Sequence, residues 1–109
     1  MSHFIVKELE AKKLKESVEI RVIPAERMTM VFFHLGPEAE VPEHSHPHEQ
    51  VGTVLKGSME LVIGEEKKIV NEGGAYHIPS NVPHSGRCLG SNAEVLDVFS
   101  PPREDYLKE

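Results

Sequence analysis

A series of short apolar or alternating runs, separated by turn signals, most limits what this 109-residue chain can fold into. Strand-length runs with no helical pattern between them predict an all-β sandwich or small barrel. Residues 8–16 alone favour a helix, which would be short, charged and on the surface. With 39% hydrophobic residues, the chain predicts a single domain over residues 1–109 with a modest core. The predicted strands cover residues 18–23, 28–35, 50–55, 59–63, 68–70, 75–78 and 93–99. Turn signals between them include residues 56–57 and 89–92.

Charge and composition exclude several classes of partner. The formal net charge of −6 argues against a nucleic acid or an anionic membrane surface as partner. No apolar run approaches the length of a membrane span, about 18 residues, and the N-terminus has no apolar signal-peptide segment. We therefore expect a cytoplasmic protein. Cys88 stands alone in the sequence, which argues against a disulfide framework or a cysteine-based zinc site and predicts a small buried hydrophobe.

Histidines cluster in residues 44–50, which read His-Ser-His-Pro-His-Glu-Gln, and another histidine follows at position 84. Side chains alternate between the two faces of an extended strand, so His44, His46 and Gln50 share one face. If the chain folds back, His84 completes a compact set of nitrogen and oxygen donors. Such donors suit one divalent transition-metal ion, such as Mn, Fe, Co, Ni or Zn. The pattern therefore predicts a metal site.

Two longer patterns contain these candidate ligands. Residues 36–57 follow G-x7-H-x-H-x3-Q-x6-G, which resembles the first cupin motif. Residues 73–84 follow G-x5-P-x-N-x2-H, which is similar to the second cupin motif. The resemblance implies a double-stranded β-helix, or jelly roll, whose mouth holds one divalent metal ion. By the same resemblance, the metal ligands are His44, His46, Gln50 and His84.

Position 50 carries glutamine where the cupin motif usually has glutamate, and this changes the charge expected at the site. Glu49 is the alternative ligand, but strand alternation turns it away from His44 and His46. Three neutral imidazoles and a neutral amide leave the charge of a divalent ion uncompensated. The site should therefore attract a carboxylate and lower the pKa of bound water. The lack of an anionic ligand also favours Lewis-acid or binding roles over dioxygen chemistry.

A further constellation ends the last predicted strand, where Asp97 and Phe99 share a face and Arg103 follows two prolines. A carboxylate in an apolar strand is costly unless it is paired, hydrogen-bonded or functional. The segment resembles the cupin-type pectin-degradation proteins that linearise 4,5-unsaturated galacturonate. That resemblance implies catalytic roles for Asp97 and Arg103, and Phe99 is a candidate substrate contact. The alternative is an Asp97–Arg103 ion pair that pins the C-terminal tail, in which Tyr106 and Leu107 are candidate docking residues.

Three other histidines, His34, His48 and His77, are weaker candidates for site residues. His77 lies in the predicted strand before Pro79 and is a candidate substrate contact, with a hydrogen-bonded wall histidine as the alternative. His48 follows a proline that interrupts strand alternation, so we expect it at the rim of the site rather than among the ligands. His34, within the predicted strand 28–35, is expected to be a wall residue.

Three functions are compatible with these residues. The first is a metal-dependent, non-redox enzyme that opens the ring of an unsaturated uronate or acts on a related sugar acid. The second is a non-catalytic module that binds a small carboxylate or sugar in the same pocket. The third is an iron-dependent dioxygenase. Small jelly rolls expose sheet edges and apolar faces, so we also expect a homodimer.

Overall fold

The computed structural model describes residues 3–107, and the side chain of Leu107, predicted as a docking residue, lies outside that description. Strands make up most of the described chain, which confirms the all-β prediction. Short 3-10 helices occupy Val6–Glu8 and Glu104–Leu107. The strands, in chain order, are β1 (Lys12–Lys15), β2 (Val18–Pro24), β3 (Thr29–Leu35), β4 (Glu40–His44), β5 (Glu49–Ile63), β6 (Glu66–Asn71), β7 (Ala75–Ile78) and β8 (His84–Ser100).

The strands form one antiparallel sheet in the order β1-β2-β3-β8-β5-β6, with β4 added to β8 and β7 added to β5. Strands β5 and β8, of 15 and 17 residues, are long enough to belong to both halves of the fold. The first half of β8 pairs with β4, and its second half pairs with β3. The first half of β5 likewise pairs with β7, and its second half with β6. The result is a jelly-roll barrel, as expected.

The two long strands bend where the sequence suggested turns. Residues 56–57 and 89–92 lie within β5 and β8, so the predicted turns there are wrong. Glycines with positive φ (81° at Gly57 and 76° at Gly90) and shifts of register around Lys56 allow the strands to bend without ending. A Cβ at Gly57 would also overlap the carbonyl oxygen of Asn92 on the neighbouring strand. Bending therefore replaces the chain reversals that a local reading predicts.

Residues 8–16 do not form the predicted helix. The 3-10 turn lies earlier in the chain, and Lys12–Lys15 forms an edge strand that pairs with β2. A short charged segment has little helical stability of its own, so pairing with a neighbouring strand decides its conformation. Strand β4 was not predicted either, and it matters because it ends at His44.

The barrel interior follows the alternation along the strands. In β8, Asp97 and Phe99 point inward while Leu96 and Val98 are half-buried on the outer face. Cys88 is fully buried in the core, as expected for a small hydrophobe. One apolar cluster fills the barrel, and its buried members are Val18, Leu35, Ala39, Val54, Met59, Leu61, Cys88, Ala93 and Val95. A smaller cluster of Ile20, Val31 and Phe99 lies beside it.

Candidate metal centre

Three histidines meet at one mouth of the barrel. His44 ends β4 and His84 begins β8, and the two residues are directly paired in the sheet. His46 lies in the loop between β4 and β5. The rings of His44 and His84 are 4.3 Å apart, and the ring of His46 lies 4.9 Å from that of His84. One ring nitrogen from each histidine lies within 4.8 Å of the others.

Backbone carbonyls fix the orientation of all three rings. An imidazole whose Nδ1–H donates to a carbonyl presents the lone pair of Nε2 to a metal. The Nε2 atoms of His46 and His84 are buried and have no hydrogen-bond partner among the described residues. Each Nδ1 has a carbonyl partner two residues away: Pro42 for His44 (2.9 Å), His48 for His46 (3.1 Å) and Val82 for His84 (2.9 Å).

Gln50 brings an oxygen to the same place. Its side chain is buried at 7% exposure, and its Oε1 has no partner among the described residues. Its amide group makes a hydrogen bond with Asp97, in which the NH2 donates and Oε1 is left free. Glu49 lies on the opposite, exposed face and contacts His77. Three imidazole nitrogens and one amide oxygen, of which those of His46, His84 and Gln50 are buried without another partner among the described residues, fit a divalent transition-metal ion.

The electrostatics of the mouth favour the neutral forms of His46 and His84. Burial, the charge of Arg103 and the neighbouring His84 and His44 lower the pKa of His46 from 6.5 to about 4. Burial also lowers the pKa of His84, although its hydrogen bond to Val82 opposes the shift. Neutral imidazole is the form that binds metal, so the cluster is prepared for an ion at neutral pH.

Asp97 and Tyr76 form a buried pair beside Gln50. The Tyr76 hydroxyl donates a 2.7 Å hydrogen bond to Oδ1 of Asp97. Burial raises the pKa of Asp97 to about 6, against the opposing hydrogen bonds from Tyr76 and Gln50. Gly52 lies between the two residues in the sheet, paired with Tyr76 on one side and Asp97 on the other. A Cβ at Gly52 would overlap both side chains, so the missing side chain lets them meet.

Arg103 reaches the same cavity but does not pair with Asp97. Among the described residues its ion pair is with Asp105, at 2.8 Å, so the alternative of an Asp97–Arg103 ion pair that pins the tail is wrong. The guanidinium carbon lies 4.8 Å from the centre of the Phe99 ring and 4.4 Å from that of Tyr106. The polar and aromatic residues that line one cavity with Arg103 are Phe33, His44, Gln50, Tyr76, His84, Ser85, Asp97, Phe99 and Tyr106.

Two other predictions can be compared with the structure. His77 is exposed on the outer face, where it hydrogen-bonds to Glu49 at 2.7 Å, so the prediction of a cavity contact is wrong. Its neighbours Tyr76 and Ile78 take the inward positions by strand alternation. His48 is half-buried with its ring 5.3 Å from that of His46, and it does not belong to the metal-type cluster. Tyr76 and Asp105 were not predicted as site residues.

A jelly-roll barrel with three convergent histidines at its mouth defines a small β-barrel protein with a metal-type site. The chain belongs to the cupin family, because the profile for the cupin domain matches residues 31–99. No helix among residues 3–107 is long and apolar enough to cross a membrane.

Relatives agree with this assignment. The chain is 33% identical over 107 residues to the pectin degradation protein KdgF of Dickeya dadantii, covering 96% of this chain and 97% of that protein. The solved structure of KdgF from a Halomonas species has a TM-score of 0.92 and 26% identity, covering 97% of this chain and 98% of that one. An RmlC-like cupin from Shewanella frigidimarina has a TM-score of 0.91 at 22% identity, covering 97% and 96%, which supports the fold alone.

Proposed function

We propose that this protein is a metal-dependent, non-redox enzyme that opens the ring of a small anionic sugar acid, with 4,5-unsaturated galacturonate as the substrate. One observation carries the proposal. A buried carboxylate, Asp97, lines the same cavity as two histidines of the metal-type cluster and the guanidinium of Arg103. The similarity to a protein named for pectin degradation supports a uronate as the substrate class.

His44, His46, Gln50 and His84 would hold the metal ion. Bound there, a divalent ion supplies a Lewis acid for a carboxylate or ring oxygen, because its four neutral ligands leave its charge uncompensated. The donor set supports a divalent ion of the first transition row and does not select among Mn, Fe, Co, Ni and Zn. The absence of a carboxylate ligand favours non-redox chemistry over a dioxygenase.

Asp97 would move the proton in this reaction. Ring opening removes the proton of the anomeric hydroxyl, breaks the bond between C1 and the ring oxygen, and turns the C4–C5 enol into a ketone with a new proton at C4. The reaction is an isomerisation, so no oxidant is required. A carboxyl group whose pKa is raised to about 6 can accept and return a proton near neutral pH. Tyr76 and Gln50 hold that carboxyl in place.

Arg103 would bind the carboxylate of the sugar acid. It is 8% exposed, and its Nη1 is buried without a hydrogen-bond partner among the described residues. A buried guanidinium nitrogen without a partner is costly, and a carboxylate ligand would supply the missing acceptor. The charge of Arg103 therefore favours an anionic substrate over a neutral sugar.

The direct test is turnover of 4,5-unsaturated galacturonate by the metal-loaded protein. Turnover is measured as the loss of the ultraviolet absorbance of the conjugated double bond in the substrate. Asp97→Asn preserves shape but cannot exchange a proton, so it should lower kcat by about 100-fold while metal content is unchanged. Glu94→Gln, on the outer face of the same strand, is the matched control and should leave kcat unchanged. Oxygen uptake during turnover would favour a dioxygenase. Binding of uronate without turnover would favour a binding module.

The expected homodimer belongs to the same proposal, and it is supported by an apolar outer face of the sheet. Phe32 pairs with Leu96, and Val98 pairs with Val51, which is 49% exposed. A second copy would cover such a face. Sedimentation should give a dimer mass for the unaltered protein and a monomer mass for Val51→Lys, while a monomer in both would refute the dimer.

A further inference from the structure

The C-terminal segment after β8 is tied to the barrel by its backbone. The Arg103 amide donates a 2.9 Å hydrogen bond to Oγ1 of Thr29, which is completely buried. The Ser100 hydroxyl donates to the carbonyl of Arg27 at 3.0 Å. The Lys12 ammonium donates to the carbonyl of Tyr106 at 3.1 Å. These contacts hold residues 100–106 across the barrel and fix the point at which the Arg103 side chain enters the cavity.

Asp105 accepts two hydrogen bonds from one edge of the Arg103 guanidinium. Its Oδ1 accepts from Nε of Arg103 at 3.0 Å, and its Oδ2 accepts from Nη2 at 2.8 Å. The two parallel hydrogen bonds occupy the side of the guanidinium nearest the chain. The Arg103 side chain is 9% exposed and that of Asp105 is 57% exposed, so the carboxylate holds a buried cation from the solvent side. A bidentate pair fixes both the position and the plane of a guanidinium.

Two aromatic rings also contact the guanidinium. Its central carbon lies over the rings of Phe99 and Tyr106, and the centres of those rings are 5.8 Å apart. Burial tends to lower the pKa of Arg103, but its hydrogen bonds to Asp105 prevail and raise it. Only the far end, at Nη1, has no partner among the described residues, and that atom is buried. Nη1 of Arg103 is therefore the guanidinium nitrogen that remains for a ligand in the cavity.

We propose that Asp105 is a positioning residue, which holds Arg103 so that only its Nη1 end is free to bind a single carboxylate group of the substrate. This inference rests on the proposed function for its substrate. Without Asp105, the plane of the guanidinium would no longer be fixed, and its Nη1 end could turn away from the cavity. The carboxylate of the substrate would then lose a hydrogen-bond donor that is held in position. Substrate binding would weaken, while the chemistry at Asp97 stays intact.

Kinetics of the metal-loaded, full-length protein test this role. Asp105→Asn removes the charge and one of the two acceptors, and it should raise KM for 4,5-unsaturated galacturonate about tenfold, as the loss of one charge-assisted hydrogen bond predicts. The value of kcat should stay within about twofold of the unaltered protein, because catalysis lies elsewhere. Asp105→Glu, which keeps the carboxylate, should recover part of the lost affinity. Glu104→Gln is the matched control, since it removes an exposed charge from the same 3-10 helix.

A binding measurement separates this inference from the proposed function. Saturated galacturonate carries the same carboxylate but lacks the C4–C5 double bond, so calorimetric titration reports binding without turnover. We expect Asp105→Asn to weaken its Kd about tenfold and Glu104→Gln to leave it unchanged. If the unaltered protein shows no turnover but this difference in Kd persists, the proposed reaction fails and the role of Asp105 stands. Equal values for Asp105→Asn and the unaltered protein, an equal loss in Glu104→Gln, or a fall in kcat alone would overturn the role.

Discussion

Tyr76 donates a hydrogen bond to Asp97 across the empty position of Gly52, so two side chains from strands that are not neighbours in the sheet touch inside the barrel. Strand β5 lies between β7 and β8, and a side chain at position 52 of β5 would keep Tyr76 and Asp97 apart. The contact orients the only acidic group that lines the cavity among the described residues. The position of the Asp97 side chain therefore depends on Gly52, which has no side chain of its own.

Gly52→Ala should disrupt this arrangement. The added methyl group would overlap Oδ1 of Asp97 and the ring of Tyr76, so one of them must move. We expect a loss of about 1–3 kcal/mol in the free energy of unfolding, as for other overpacked interiors, together with a large loss of turnover. Chemical denaturation and kinetics measure the two effects. Gly36→Ala is the control, because a Cβ there meets its nearest neighbour, Ser17, at an ordinary 3.7 Å. Unchanged stability and turnover in Gly52→Ala would contradict the steric account.

Tyr76→Phe tests the hydrogen bond alone. Removing the hydroxyl should lower the free energy of unfolding by about 1 kcal/mol, since a buried acceptor loses a donor. A hydrogen bond to the carboxylate form favours that form, so its loss should raise the pKa of Asp97 further. If Asp97 acts as a base, the acidic limb of the pH–rate profile should move to higher pH. His77→Gln, on the outer face of the same strand, should leave that limb in place. An unmoved limb in Tyr76→Phe would count against Asp97 as the titrating group.

The histidines can be ranked by metal content. His46→Ala and His84→Ala each remove a buried Nε2 that faces the cluster, so each should abolish stoichiometric metal after dialysis against a divalent ion. His48→Ala should retain most of the metal, because His48 lies outside the cluster and its backbone carbonyl, which accepts from His46, is kept. His77→Ala is the exposed control. Retention of one ion per chain by His84→Ala would show that the cluster is not the metal site.

Period-two alternation was enough to place part of the site. It predicted that Gln50 shares the face of the histidines while Glu49 turns outward, and the structure has both arrangements. Similar reasoning placed Asp97 and Phe99 on one face of the last strand, and in the structure both are buried. These predictions depend only on which way a side chain points along a single strand.

Contacts between strands were harder to predict. The pairing of Tyr76 with Asp97 depends on the register of three strands, which no local pattern determines. The alternative of an Asp97–Arg103 ion pair was wrong because Asp105, two residues away, accepts two hydrogen bonds from the guanidinium of Arg103. His77 was misplaced because its face was not assigned from the neighbouring Ile78, which is buried. Direction along a strand could thus be predicted from the sequence, and partnership between strands could not.

The buried titratable groups make stability depend on pH, and they act in opposite directions. The pKa of His46 is lowered to about 4 in the folded protein, so the unfolded chain binds the extra proton below 6.5. Its contribution is present above pH 6.5 and is lost as the pH falls toward about 4. The pKa of Asp97 is raised from 3.8 to about 6, so its contribution is present at low pH and is lost as the pH rises through that range.

Removing Asp97 should therefore expose the effect of the histidines. In chelator-treated protein, Asp97→Asn should lose more thermal stability between about pH 7 and pH 5 than the unaltered protein, because no opposing carboxyl group remains. Addition of a divalent metal should raise the Tm of both proteins near pH 7, since the ion binds only the folded state, and should raise it less near pH 5, where protons compete for the imidazoles. Differential scanning calorimetry of both proteins, each with chelator and with the divalent metal, measures these Tm values near pH 7 and near pH 5. The same pH dependence in both chelated proteins would show that Asp97 does not titrate in this range, and a Tm indifferent to metal near pH 7 would refute a metal site at these histidines.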